Sequence, residues 1–233
     1  MPLKYDPSRP IYIHVINKLR NTRTRELFAA MAADCLPVYA EHGVALHNCW
    51  QSAPGQGQGP ETVEVWELKD FAAYTAFVAA SHGDRADPRI EAWHRTRDEW
   101  IERYDAMLCM PHPASPTIAE LKARGVKAKL VVHELVHTMS SKQGDYLDGL
   151  HNIWGPVSRA AGRTLLSLLY SPWNNRRAIN IFGVGGEWDE LPLWAGNYGH
   201  DKDEFAVWMT MAHSLRDDYN DRFLVPAPFS TAR

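Results

Sequence analysis

The chain has 233 residues, 45% of them hydrophobic and 23% charged, with a formal net charge of -3 at pH 7. That length buries a full core, as one large domain or as two halves of about 100–130 residues, and the charge balance supplies no basic surface for nucleic acid or an anionic membrane. No apolar run reaches the roughly 20 residues of a bilayer span, the first ten residues lack the apolar centre of a secretion signal, and three widely spaced cysteines read as reduced thiols, so a cytoplasmic location is expected.

Residues 11–17 are rich in β-branched side chains and predict a strand. Residues 24–42 carry Leu27, Phe28, Met31, Cys35, Val38 and Tyr39 at helical spacing, and Gly43 follows as a helix-ending glycine. Strands are predicted over 44–50 and 62–68, separated by a loop rich in proline and glycine. Asp70 can cap a helix through Phe71, Tyr74 and Phe77, and a longer helix follows over 88–104 with a short strand at 107–110. After a linker with a short helix at 118–124, the pattern returns. Strands are expected at 130–138, 165–170, 178–184 and 223–225, with helices at 145–161, near Leu191 and at 204–218.

The return is a repeat. Shifted by 119 positions, 11–43 lies on 130–162 without a gap, with His14 on His133, Pro37 on Pro156 and Gly43 on Gly162. Shifted by 115, Trp93 lies on Trp208, Tyr104 on Tyr219 and Pro111 on Pro226. The order in each half is the ferredoxin-like split βαββαβ motif with an extra helix. The expected fold is therefore α+β: two tandem ferredoxin-like halves, 1–113 and 128–233, joined by a linker at 114–127. Their bare sheet faces would pack sheet-to-sheet as an intrachain dimeric α/β barrel, with a cavity between the sheets.

The stretch Leu36-Pro37-Val38-Tyr39-Ala40-Glu41-His42-Gly43, then Trp50-Gln51, then Glu64-Val65-Trp66-Glu67-Leu68 before Asp70-Phe71, resembles NIPSNAP-type members of the dimeric α/β-barrel superfamily. Trp154-Gly155-Pro156-Val157 and Gly162 keep the pattern more weakly. The resemblance implies the fold. It does not choose among the cofactor-free monooxygenases, isomerases, lyases and haem enzymes of that superfamily.

Alternation along strands sorts side chains by face. Ile11, Ile13 and Val15, like Val63 and Val65, form apolar sets expected beneath helices. The mixed sets, expected in the cavity, are Tyr12 and His14, Glu64 and Trp66, His133 and His137, Asn180 and Phe182. His14 and His133 are the expected proton-transfer residues, with Glu64 as their carboxylate partner. Tyr12, Trp66, His137, Asn180 and Phe182 would bind substrate. Glu134 falls on the helix-facing side of its strand against this rule.

His133-Glu134-Leu135-Val136-His137 spells H-E-x-x-H, but in a strand-like run rather than on a helix, so no metal site is read from it. His151 and His213 leave room for a haem ligand, though no cofactor is required. The reading is an enzyme acting by acid–base chemistry, without a nucleotide, on a small, largely apolar substrate. An oxygenase, isomerase or lyase fits. The alternative is a non-catalytic ligand-binding or scaffold protein of NIPSNAP type, or a haem-binding enzyme. Expected partners are a small molecule and, in a homo-oligomer, further copies of the chain.

Overall fold

The computed structural model describes residues 3, 6–20, 22–55, 59–185, 187 and 203–233; the helix expected near Leu191 lies outside them. Strand β1 (Ile11–Leu19) leads into helix α1 (residues 24–41), β2 (Val44–Ser52), β3 (Glu61–Leu68), α2 (Phe71–Ser81), α3 (Pro88–Trp100) and β4 (Ile101–Pro111). After α4 (Ile118–Ala123) come β5 (Leu130–Thr138), α5 (residues 143–160), β6 (Arg163–Tyr170), β7 (Arg177–Val184), α6 (Asp203–Leu215) and β8 (Arg216–Pro226).

Local chemistry explains the helix ends. Asp70 Oδ1 accepts the Ala73 N–H at 2.8 Å and starts α2. Gly43 and Gly162 follow α1 and α5 with φ of 73° and 77°, where a side chain would be strained. Both helices widen into a π-turn, at Met31–Cys35 and Leu150–Trp154. Pro37 and Pro156 supply a cause. Each lacks an N–H, and in a regular α-helix its ring would press on the carbonyl four residues back, at Ala33 and Asn152, a clash that the wider turn relieves.

Two helices end earlier than their polar sequences suggest. The helix expected over 88–104 stops at Trp100, and that over 204–218 stops at Leu215. The charged stretches beyond are strand instead, because β4 pairs with β1 and β8 with β5 along them, as at Lys18↔Arg103 and Glu134↔Asp221. Ladder hydrogen bonds outweigh the helix preference of exposed polar residues.

The strands form one antiparallel hydrogen-bonded sheet in the order β1-β3-β2-β8-β5-β7-β6-β4, and β1 pairs with β4 as well. This corrects the expectation of two separate sheets packed face to face as an intrachain dimeric barrel. The two sets of four strands meet edge to edge. Trp50↔Pro226, Gln51↔Val225 and Ser52↔Leu224 join β2 to β8; Met110↔Tyr170 and Pro111↔Leu169 join β4 to β6. Edge strands expose unpaired N–H and C=O groups, and these short ladders satisfy part of them within the chain.

The sheet curls, so inner-face residues of β1 meet those of β5. Tyr12, Ile16, Val63, Val65, Val131, Ile179, Ile181 and Leu224 form that inner core, joined by Leu121 of α4. A second core lies between the sheet and the helices and includes Ile11, Val15, Trp66, Trp93, Phe182 and Trp208.

Candidate functional site

Strand register decides which expected site residues share a face. His14 stands opposite Val65, Ile13 opposite Trp66 and Val15 opposite Glu64. His133 stands opposite Ile181, Val132 opposite Phe182 and Glu134 opposite Asn180. Residues directly opposite one another in an antiparallel pair share a face. The eight residues expected around one cavity are therefore divided. Tyr12, His14, His133 and His137 lie on the inner face, while Glu64, Trp66, Asn180 and Phe182 lie beneath the helices. Glu134 lies there too, which removes the exception it made in the sequence.

On the inner face, the Nε2 atoms of His14 and His133 are 2.9 Å apart and the rings are parallel within 4°. One imidazole donates its N–H and the other accepts. Burial and the nearby Arg222 push His14 down to about 3, and burial, then His14 and Arg222, push His133 well down, so both rings are neutral near pH 7. His14 lines a pocket of about 280 Å³ with Met107, Leu135 and Arg177. The other two inner-face residues lie elsewhere. Tyr12 donates its O–H to Glu67 Oε2 at 3.0 Å, and that oxygen also accepts the Ile118 N–H. His137 is half-buried near the end of β5, opposite Arg177 and Asp218.

Beneath the helices, Glu64 is buried and both its oxygens are engaged. Asn17 Nδ2 donates to Oε1 at 2.7 Å and Trp66 Nε1 donates to Oε2 at 2.8 Å. Burial raises its pKa; the Trp66 and Asn17 hydrogen bonds and the charge of Arg97 oppose the rise. In the second half, Asn180 Nδ2 donates to Tyr146 Oη at 3.3 Å, and burial likewise raises Glu134.

Near Glu64, a pocket of about 410 Å³ opens between the sheet and helices α1 to α3. Ile13, Tyr74, Phe77 and Leu108 give it apolar and aromatic walls, and Tyr39, His94 and Arg97 bring polar groups. Tyr39 Oη and His94 Nε2 share a hydrogen bond of 3.1 Å. Burial, then the charge of Arg97, lowers His94 to about 4, so its ring is neutral near pH 7. Tyr39 packs on Trp66 at 5.0 Å and on Phe77 at 4.9 Å between ring centroids. Arg97 lies 4.3 Å over the Tyr104 ring and donates from Nε and Nη2 to Asp98.

Sequence reading missed His94 and Arg97 as site residues and took Tyr39 only as core. Their signal was available. His94 and Arg97 are three apart on α3 and so lie on one side of it, flanking the buried stripe of Ile90 and Trp93.

His133 to His137 run along a strand, so the two histidines of H-E-x-x-H do not sit one helical turn apart. Among the described residues, no group of three or more His, Cys, Asp or Glu could hold a metal ion. The haem candidates stand apart from the Tyr39–His94 pocket. His213 is exposed on α6, and His151 packs against His112 at 5.6 Å. No described helix is long and apolar enough to cross a membrane.

No family model and no curated protein matches the chain. Solved structures do. A proposed monooxygenase from Fusobacterium nucleatum superposes with a TM-score of 0.61 at 9% identity, covering 94% of this chain and 93% of its own. A proposed monooxygenase from Lactobacillus acidophilus gives 0.59 at 10% identity, covering 94% of each chain. At these identities the likeness is one of fold. A NIPSNAP family protein from Agrobacterium tumefaciens is 16% identical and covers 49% of this chain and 99% of its own, with a TM-score of 0.41.

Proposed function

We propose that this protein binds a small, largely apolar organic molecule bearing an acidic oxygen, in the pocket between the first four strands and helices α1 to α3. The observation that carries the reading is the lining itself. Aromatic and aliphatic walls enclose about 410 Å³, and a few polar groups, Tyr39, His94 and Arg97, converge on it. That is the usual composition of a ligand site. An aromatic ring fits among Tyr74, Phe77 and Leu108, and its oxygen would face the guanidinium and the Tyr39–His94 hydrogen bond. Glu64 acts as a positioning residue, since its two hydrogen bonds hold Asn17 and Trp66 behind Tyr39.

Titration calorimetry with 1-hydroxy-2-naphthoate tests this. Saturable binding is expected, weakened about tenfold or more in Arg97→Gln, the scale of one lost charged hydrogen bond. Arg97→Gln also gives up the Asp98 pair and the stacking on Tyr104, so its melting temperature is measured alongside. No binding, or equal affinity in the variant at an unchanged melting temperature, would overturn the reading.

A second reading is catalytic, and one observation favours it. His14 lines its own pocket and lies 2.9 Å from His133, so a proton taken from a substrate by one ring would be shared with the other, and that sharing must offset the burial that holds both rings neutral. An isomerisation, elimination or oxygenation that begins by proton abstraction fits such a pair. In this reading Glu64, on the opposite face of the sheet, does not join the two histidines directly.

A further inference from the structure

We propose a separate anion site in the cleft between α4, α5 and the start of β6, for a small organic molecule carrying a phosphate or several carboxylates. The cleft encloses about 490 Å³ and shares no lining residue with the Tyr39–His94 pocket. Arg124, Arg159 and Arg163 line it together with His112 and His151, and no carboxylate is among the described lining residues. In a chain of net charge -3 this is a local reversal of sign.

One arginine and one histidine of the lining are held in place. Arg163 is only 5% exposed, and its guanidinium lies 4.9 Å over the Trp154 ring. Stacking of this kind fixes the plane of the fork and so reduces the ordering cost of binding. His112 has one settled tautomer. Its Nε2–H donates to Asp148 at 3.1 Å, and its Nδ1 accepts the Ala114 N–H at 3.2 Å. The carboxylates nearby are already engaged. Asp148 takes that hydrogen bond, Glu120 pairs with Arg9 at 3.7 Å while also feeling Arg124, and Glu134 lies in the field of Arg163 with Asn180 and Arg216.

Arginine forks bind carboxylate and phosphate oxygens in pairs. The two exposed forks of Arg124 and Arg159, beside a space larger than one oxyanion, suit a ligand with two charged groups, or one phosphate on a carbon skeleton. Pro113, Ala114 and Leu165 offer that skeleton an apolar floor. The shared chemistry is a multiply charged oxyanion, and the probes separate its sources.

Calorimetry at constant ionic strength, with inorganic phosphate, pyrophosphate and citrate, tests the site. Saturable binding of at least one is expected. Pyrophosphate over citrate would assign phosphate chemistry, and the reverse would assign polycarboxylates. The double variant Arg124→Gln with Arg159→Gln changes two exposed residues and should keep the fold while weakening binding about tenfold or more. Absence of saturable binding by all three probes, or an unchanged affinity in the double variant, would overturn the proposal.

Discussion

His14 and His133 occupy equivalent positions in the sequence and touch in the structure, 119 residues apart. Their consequence for stability can be worked out. Both fold with pKa values below that of a free imidazole, so between about pH 6.5 and the folded values the unfolded chain binds more protons. Stability from this pair is therefore present above pH 6.5 and is lost as the pH falls, at no more than about 1.4 kcal/mol per pH unit for each ring. The double variant His14→Phe with His133→Phe should show a flatter fall in melting temperature between pH 6.5 and 4 than the unaltered protein. Parallel curves would mean that the pair is not what acid attacks. His47 and His94, each lowered to about 4, remain in both proteins and cancel in the comparison. The equivalence of His14 and His133 was legible, because the ungapped repeat laid one on the other; their contact was not. The place of Glu64 was not. Sorting strands by apolar content assumes that the driest side chains lie beneath helices. Here Val63 and Val65 fill the inner face, and Glu64 and Trp66 hydrogen-bond to each other under the helices. Only the register against β1 could have settled this, and register is a property of two strands, not one.

At the scale of elements, the order of strands and helices could be read from alternation, helical spacing and the two glycines. The boundaries of β4 and β8 could not. Residues 102–105 and 217–221 are charged or polar and exposed, so nothing in their hydropathy marks a strand. Their conformation comes from the backbone partners that β1 and β5 supply. The glycine signals make a cleaner prediction. A Cβ at Gly43 or Gly162 would meet nothing within 4 Å, so substitution there reports backbone strain alone. Gly43→Ala and Gly162→Ala should each lower unfolding free energy by about 1–2 kcal/mol in denaturant titration, the cost of a left-handed residue with a side chain. A loss below a few tenths in both would show that these turns relax, and that their left-handed φ is not needed to end α1 and α5.

For the whole molecule, the tandem pattern suggested two packed sheets with a cavity between them, and the layers differ from those expected. One sheet joined at β2–β8 and β4–β6 puts two kinds of space in the chain, an inner face and the gaps between sheet and helices. The inner face is filled by aliphatic side chains and the hydrogen-bonded imidazoles, leaving about 280 Å³ beside His14. The pocket under α1 to α3 is larger, about 410 Å³, and has the more varied chemistry. No strand pattern could reveal it, because its polar groups come from α1 and α3, elements about 50 residues apart whose meeting depends on tertiary packing. We propose that this pocket, not the space around the paired histidines, receives the ligand. Nitrogen-15 spectra of the histidine rings, assigned by single substitutions and followed during titration with 1-hydroxy-2-naphthoate, test it most directly. The His94 ring resonances should shift in step with binding while those of His14 and His133 stay in place. Shifts at His14 and His133 with an unmoved His94 would contradict it.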